Sequence, residues 1–392
     1  MSLDDTVQDL ADRLGTPLVV LDLDLKVAAY SMHDTPERRD RLARLLAGSQ
    51  EPVTATLVRQ HRLQAATAAV RIPADRQNGP RLVMPLRHQK QLFGYLYLVE
   101  DRPGIDIESD QGTAHLVEAS GPEIGTLLAL RLSDLRNTAD RSRRLLAALV
   151  SESPTERQSA ADALLRDGLI ESTDHYSVLV YRSPDSSLAA ATGLAVDATL
   201  DFTTRSTTVK IVGAVVGNEG IVLFPRPVNR TRLEKSLHRP GLEKVRAGVG
   251  SAKDSLTDAV ESYREATIAC RASALDPDRY GQRAFWEDLG LDRVLLRLPL
   301  ETLTPRDLPD GVRRLLASPN AAELTATMEG FLECGGEIQG TAKRLNIHRS
   351  TLYHRLDRIR EVTGSDISDG STRLELHAGL RIARLAGMAP RD

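Results

Sequence analysis

The segment from residue 341 to residue 359 constrains the fold more than any other stretch, because its spacing suits two short helices joined by a tight turn. A steep helix crossing needs a small residue at the contact, and Ala342 meets that need. The turn needs a residue that tolerates a left-handed backbone, and Asn346 is the next-best type after glycine. The apolar residues available for a shared core are Leu345, Ile347, Leu352, Leu356 and Ile359. We therefore predict a helix-turn-helix over residues 337–362.

The charge of this segment favours a nucleic-acid surface. Between residues 337 and 360, six basic side chains oppose two acidic ones, a local charge of +4 in a chain whose formal net charge is −3. Such a basic element suits the phosphates of double-stranded DNA, and a polar helix start suits base edges in the major groove. The residues predicted to contact DNA are Thr341, His348, Arg349, Ser350, Thr351, Tyr353, His354, Arg355 and Arg358. Residues 348–351 would face bases, and Arg355 and Arg358 would face phosphates. The alternative is a helical hairpin with a solvated basic face, which charge alone would favour.

The residues after the predicted turn carry a family resemblance. I-H-R-S-T-L-Y-H-R-L resembles the factor-for-inversion-stimulation (Fis) class of helix-turn-helix, and residues 284–386 resemble more closely the C-terminal domain of PucR/CdaR-type bacterial regulators. The departures are Glu337 and Ser350, where that family often has asparagine, and His354, where it often has tyrosine. The resemblance implies a sequence-specific transcriptional regulator, and the outward-facing Ser350 and His354 imply a DNA preference of its own.

A chain of 392 residues is too long for one hydrophobic core, so we predict two or three domains. The pattern indicates an α+β multidomain protein, with two α/β blocks followed by an all-α C-terminal domain. The predicted boundaries are a sensor domain over 1–130, a helical linker over 131–157, a second α/β domain over 158–280 and a helical DNA-binding domain over 284–392.

The first block combines predicted strands at 81–87 and 91–100 with helices, one of them over 38–47. Its pieces V-M-P-L-R and F-G-Y-L-Y-L-V, followed by a long helix, resemble a GAF domain, and a PAS domain with similar elements is the alternative. The resemblance implies a small-metabolite effector. The apolar stretches of the presumed pocket, which fit a plain core equally well, are Val19–Tyr30, Val83–Leu86 and Phe93–Leu98.

A single long helix is predicted over 113–151, ended by the segment around Pro154. Its apolar and small residues alternate four and three apart, as in the seam of a coiled coil. They are Leu128, Leu132, Leu135, Ala139, Ser142, Leu146 and Leu149. Either this helix packs on its own domain, or it pairs in parallel with the same helix of a second copy and connects the sensor domain to the DNA-binding domain. Because one helix-turn-helix reads only a few base pairs, a homodimer or higher oligomer on repeated half-sites is expected.

Residues 175–275 resemble a GGDEF-like domain, whose active members are diguanylate cyclases. That reaction needs carboxylates on adjacent strands to hold two metal ions. The first strand, Y-S-V-L-V-Y, has no central aspartate, and the turn G-N-E-G offers only Glu219. We therefore predict a degenerate domain and a protein that is not an enzyme, with no catalytic residue, metal or cofactor. The alternative functions are a nucleotide-binding or cyclic-dinucleotide signalling protein that uses this domain, and a scaffold.

The setting is predicted to be the cytoplasm of a bacterium. The only two cysteines, Cys270 and Cys334, lie far apart, which argues against a disulfide framework. The N-terminus lacks the basic start and apolar run of a signal peptide, and no stretch reaches about 18 uncharged apolar residues, so no membrane partner is expected. The excess of arginine over lysine, with abundant alanine, is typical of GC-rich coding.

Overall fold

The computed structural model describes residues 2–32, 56, 58–73, 80–99, 111–184 and 189–390. The chain divides into two compact units, Met1–Ala139 and Asp140–Asp392, each with its own hydrophobic cores. The helix predicted over 38–47 lies outside the described residues.

The first unit contains helix α1 (Leu3–Leu14) and a five-stranded antiparallel sheet. Ser2 caps α1 by accepting a hydrogen bond from the Asp5 amide at 3.2 Å, and Gly15 ends it with a left-handed φ of 61°. The sheet order is β2-β1-β5-β4-β3. The strands are β1 (Leu18–Asp22), β2 (Val27–Tyr30), β3 (Val70–Ile72), β4 (Arg81–His88) and β5 (Gln91–Val99). The strands predicted at 81–87 and 91–100 are confirmed.

The two faces of this sheet pack into different cores, because successive strand residues point to opposite sides. On one face, α1 and the first part of helix α2 (Gln111–Leu149) cover the sheet. At Gly125 helix α2 lies so close to β4 that a Cβ would come within 2.5 Å of the Arg87 carbonyl oxygen, so a side chain has no room there. The opposite face carries Val19, Leu21, Ile72, Val83, Tyr95 and Tyr97.

Helix α2 is 39 residues long and corresponds to the predicted long helix. Leu128, Leu146 and Leu149 of its predicted seam are all 0% exposed, because each packs into the core of its own unit. Leu135 is 59% exposed, and every residue from 133 to 141 is exposed. Of the seven seam residues, Leu135 and Ala139 are exposed, whereas Leu132 packs partly against the core of the first unit and Ser142 is buried. Most of the seam therefore packs on the protein itself, as in the first of the two alternatives.

The second unit begins with the last part of α2 and continues with helix α3 (Pro154–Arg166), whose first residue is the proline predicted to end the preceding helix. A five-stranded mixed sheet follows, in the order β10-β9-β6-β8-β7, with β9 and β10 parallel and the other pairs antiparallel. Its strands are β6 (Ser177–Arg182), β7 (Val212–Val216), β8 (Glu219–Phe224), β9 (Arg246–Val249) and β10 (Arg283–Phe285). Its helices are α4 (Ala189–Ser206), α5 (Arg230–Leu237), α6 (Ala259–Leu275) and α7 (Pro277–Tyr280).

Helices cover both faces of this sheet. α3 and α6 pack on one face, and α4 and α5 pack on the other. At Gly248 a Cβ would lie 2.0 Å from the Ala266 carbonyl oxygen, so glycine allows α6 to rest directly on β9. The predicted G-N-E-G turn joins β7 to β8, and Gly217 in it has a φ of 60°.

From Trp286 to residue 390 the structure contains only helices and turns, as predicted. The α-helices are α8 (Asp292–Leu295), α9 (Asp310–Leu316), α10 (Ala321–Glu333), α11 (Ile338–Arg344), α12 (Arg349–Thr363) and α13 (Gly370–Leu385). α9 to α13 enclose one apolar core that includes Val312, Met328, Leu356 and Leu380. The whole chain is thus an α+β multidomain protein with a helical C-terminal part.

Candidate nucleic-acid interface

Helices α11 and α12 form the predicted helix-turn-helix. Asn346, in the turn between them, has a φ of 52°, the left-handed conformation that asparagine tolerates better than most residues. Ala342 is buried against the core that contains Leu352, Leu356 and Ile359, so the small side chain lies where the two helices meet. The motif and its core are confirmed.

Side-chain caps fix the start of both helices. Glu337, which departs from the family's asparagine, accepts hydrogen bonds from the amides of Gln339 (2.8 Å) and Gly340 (2.5 Å) and so caps α11. His348 caps α12, since its Nδ1 accepts from the Ser350 amide at 3.3 Å and lies 2.7 Å from the Ser350 hydroxyl. The first turn of α12, where base contacts are expected, is therefore held in one conformation by its own side chains.

The structure presents most of the predicted contact residues on one exposed surface. The exposed residues are His348, Arg349, Ser350, Thr351, Tyr353, His354 and Arg358, and Arg355 is half-buried. This surface lies opposite the buried stripe of Leu352, Leu356 and Ile359 on α12.

Thr341 is the exception, and its prediction is wrong. Its side chain is 0% exposed, and its hydroxyl donates a hydrogen bond to the Glu337 carbonyl oxygen at 2.6 Å. It supports the start of α11 from inside and cannot reach a ligand on the surface.

Acidic side chains neutralise more of the positive charge of this surface than the count over residues 337–360 indicated. Arg344 pairs with Glu333 and Arg355 with Glu323, both on the preceding helix α10. Along α12 itself, Arg358 lies 2.9 Å from Glu361 and Arg360 lies 2.6 Å from Asp357. Including these partners, six basic side chains face five acidic ones, a net charge of +1 instead of +4. The two pairs on α12 follow the three-residue helical spacing and could have been found in the sequence.

Arg349 and Lys343 differ from the other basic residues of this surface. Within the described ranges, neither has an acidic partner at ion-pair distance, and both are exposed. Arg349 is also the first residue of α12. It is therefore the arginine most available to a ligand at the start of that helix.

Replacing Glu323 by glutamine is expected to raise the affinity for bulk DNA and to make it more salt-dependent. The change releases Arg355 from its carboxylate partner, so about one more counterion should be displaced on binding. The measurement is a titration of fluorescent duplex DNA at several salt concentrations. Glu171→Gln, an exposed site in the middle domain, makes the same change in net charge and is the control. An equal gain in both variants would contradict the assignment.

The sheet edge where a cyclase would hold metal ions carries an ion pair instead. Arg182 at the end of β6 donates from Nε to Glu219 Oε1 on the adjacent strand β8 at 2.6 Å. Tyr263 of α6 donates its hydroxyl to the other carboxylate oxygen at 2.6 Å, and burial together with this bond raises the pKa of Tyr263 to about 12. The guanidinium occupies the side of Glu219 that a cation would need. Among the described residues no group of histidine, cysteine or acidic side chains is arranged to hold a metal ion.

The stretches proposed to line a pocket in the first unit divide between the two faces of its sheet. Val20, Leu96 and Leu98 point toward α1 and α2, whereas Tyr95 and Tyr97 point to the opposite face. On that opposite face a small apolar hollow is lined by Leu21, Leu25, Val58, Leu63, Ile72, Val83, Tyr95 and Tyr97. Burial raises the pKa of Tyr95.

No described helix has the length and apolar character to cross a bilayer.

Two family descriptions match this chain. The PucR C-terminal helix-turn-helix domain matches residues 324–382, which contain α11 and α12. The GGDEF-like domain matches residues 170–272, which contain β6 to β9. Both matches fall where the structure places a helical domain and an α/β domain.

Several curated relatives are named as regulators of transcription or catabolism. The purine catabolism regulatory protein of Bacillus subtilis is 27% identical over 143 residues, 36% of this chain and 26% of that protein. The DNA-binding transcriptional activator AdeR of the same organism is 19% identical over 403 residues, 98% of this chain and 93% of AdeR. The carbohydrate diacid regulator of Escherichia coli is 29% identical over 159 residues, 39% of this chain and 40% of that protein. The chain thus spans less than half of two of these relatives and nearly all of AdeR.

One solved structure, a regulator of polyketide synthase expression from Bifidobacterium adolescentis, covers 63% of this chain and 98% of its own at 20% identity. Its TM-score of 0.30 is too low to support a comparison of the folds.

Proposed function

We propose that this chain is a transcriptional regulator of the PucR/CdaR type and that it binds specific DNA sites through helix α12. The match to the PucR C-terminal helix-turn-helix domain, behind a match to a GGDEF-like domain, supports the proposal. The observation that carries the proposal is the capped first turn of α12, which exposes polar and basic side chains above a buried helix-turn-helix core. A recognition helix of this kind reads bases in the major groove.

Each predicted contact residue of α12, and the capping residue His348, has a proposed role. His348, Arg349, Ser350 and Thr351 contact bases, and Ser350 and His354 give the protein its own sequence preference. Tyr353 borders the same surface, Arg358 contacts phosphate, and Arg355 contacts phosphate once it leaves Glu323. The exposure of His348 to Thr351, Tyr353, His354 and Arg358 supports these roles.

A second copy of the chain is the proposed partner on DNA. A surface of net charge +1 releases few counterions, so a single helix-turn-helix would bind weakly. Two or more copies on repeated half-sites add their contacts, and we propose a homodimer or higher homo-oligomer. Protein that stays monomeric at micromolar concentration, alone and on DNA, would contradict this arrangement.

A small metabolite is the proposed effector, bound by the sensor domain over 1–130. The names of the relatives support this class, since one is a proline-responsive activator and others regulate purine catabolism or carbohydrate diacids. The same proposal includes a helical linker over 131–157, a middle domain over 158–280 and a DNA-binding domain over 284–392. It also places the protein in the cytoplasm, where the chromosome is.

The middle domain is proposed to transmit a signal and not to catalyse a reaction. Arg182 neutralises Glu219, and one carboxylate already in an ion pair cannot hold two metal ions. Incubation with GTP and Mg²⁺ is therefore expected to release no pyrophosphate, and turnover would instead favour the nucleotide-signalling alternative.

Genomic footprinting with the purified full-length chain tests the central proposal. Protected sites that share a repeated sequence motif, and that survive competition with bulk DNA at moderate salt, are the expected result. Failure of every genomic fragment to outcompete bulk DNA would favour a scaffold that only assembles partners.

A further inference from the structure

A buried ionic network lies where the DNA-binding domain meets the middle domain. Arg381 on α13 is 11% exposed, and its Nε lies 3.0 Å from both carboxylate oxygens of Asp292 on α8. Its guanidinium also binds Asp276, which caps α7, and Tyr280 donates its hydroxyl to Asp292 at 2.5 Å. We call these four residues the junction network.

The members of the junction network come from parts of the chain that are far apart in sequence. Asp276 and Tyr280 directly follow the segment that matches the GGDEF-like domain, whereas Arg381 belongs to the last helix of the helix-turn-helix domain. An apolar cluster surrounds them, in which Ala269 and Ala272 of α6 meet Leu385 of α13. The network is thus a direct tie between the two domains of the second unit.

The carboxylate of Asp292 remains charged although it is buried. Burial opposes ionisation of Asp292, but hydrogen bonds from Arg381 and Tyr280 outweigh it and hold the pKa of Asp292 below its usual value. Burial and the bond to Asp292 raise the pKa of Tyr280 to about 12, so its hydroxyl stays a donor. Each acceptor therefore has a directional partner, which restricts the angle at which α13 can meet α7 and α8.

A second set of contacts continues from the junction to the helix-turn-helix. Glu333 at the end of α10 lies 3.6 Å from Arg279 of α7 and also pairs with Arg344 of α11. Arg384, one turn beyond Arg381, pairs with Glu329 of α10. These pairs border a polar cleft between the two domains. The first helix of the motif is thereby connected to the middle domain through charged contacts.

We propose that the junction network fixes the orientation of the helix-turn-helix on the middle domain and so sets the spacing between half-sites that two copies can occupy. This inference rests on the proposed binding of two copies to repeated half-sites. Desolvation offsets much of the attraction within a buried ion pair, so stability alone does not account for the junction network. Orientation matters here because the distance between recognition helices in an oligomer must match the distance between half-sites. Asp276, Asp292 and Arg381 are positioning residues in this proposal.

The test compares the full-length chain with its Asp276→Asn and Asp292→Asn variants. The duplexes carry either one half-site found by footprinting or two half-sites whose spacing is varied across about one helical turn, roughly 10 base pairs. The original chain is expected to bind its best spacing about tenfold more tightly than a spacing that differs by half a helical turn. A loss of this size is expected when one bidentate contact between a side chain and a base is not made. Both variants should reduce that preference to about twofold while binding the single half-site as before.

Two controls separate positioning from general damage. Asp310→Asn removes an exposed ion pair with Arg313 in the same domain and should keep the spacing preference. The only tryptophan, Trp286, packs against the junction's apolar cluster, so its fluorescence reports whether a variant is folded. Asp276→Asn leaves Arg381 bonded to Asp292 and is the milder variant.

The outcomes are distinct. Variants that keep the full spacing preference would overturn the inference, and so would variants that weaken single and paired half-sites equally. If the original chain binds no half-site, the proposed function itself fails. If it binds paired half-sites with no spacing preference, only the role of the junction network fails.

Discussion

Replacing Arg381 by methionine is expected to lower the free energy of unfolding of the C-terminal part by about 3–5 kcal/mol, because it leaves two buried carboxylates without their cation. Asp276 and Asp292 are 4% exposed, so water cannot replace the missing hydrogen bonds. The measurement is chemical denaturation followed by the fluorescence of Trp286, which packs against the same junction.

Arg313→Met is the matched control for this prediction. Arg313 also pairs with an aspartate, Asp310, but both side chains are largely exposed. Removal of such a surface pair costs only about 0–1 kcal/mol. If Arg381→Met costs no more than Arg313→Met, the junction network does not hold the two domains together in the way described.

Replacing Arg349 by alanine is expected to weaken binding to the specific site by about 1–3 kcal/mol, roughly 5- to 150-fold, with little effect on bulk DNA. Arg349 is the first residue of α12, is exposed, and has no ion-pair partner among the described residues, so its fork of donors is available to a base edge. Arg358→Ala should weaken binding to specific and bulk DNA alike, since a phosphate contact is independent of sequence. The measurement is competition binding with footprinted and random duplexes.

The control for both substitutions is Arg205→Ala, which removes the same charge from an exposed position at the end of α4. It should leave both affinities unchanged apart from a small effect of total charge. Intact DNA binding in Arg349→Ala and in Arg358→Ala would show that the surface on α12 is assigned wrongly.

The helix-turn-helix was predictable because its signals are local. The signals are a small residue at 342, a residue at 346 that tolerates a left-handed backbone, and apolar residues at helical spacing. They lie within a few positions of one another, and the structure uses each of them as predicted. The strand pair β4–β5 was predictable for the same reason.

Features that depend on tertiary contacts were not predictable. Thr341 looks like a surface threonine in the sequence, but the packing of α11 buries it. Glu323 and Glu333 lie on another helix, so no spacing rule connects them with Arg355 and Arg344. The same holds for Arg381 and Asp276, which are 105 positions apart. The spacing of the seam could not decide between packing on the protein itself and pairing with a second helix, and Leu128 and Leu146 pack in the cores of their own units.

The acidic partners of the basic surface have a consequence for how such a protein would search a chromosome. A genome offers about 10⁶–10⁹ competing sites, so a strongly basic protein spends most of its time on irrelevant DNA. Glu323 and Glu333 each occupy an arginine that would otherwise hold any phosphate. They should weaken binding to unrelated DNA more than binding to the operator, because Arg349, which is proposed to contact a base, has no acidic partner among the described residues. Fewer molecules are then needed in the cell to keep an operator occupied.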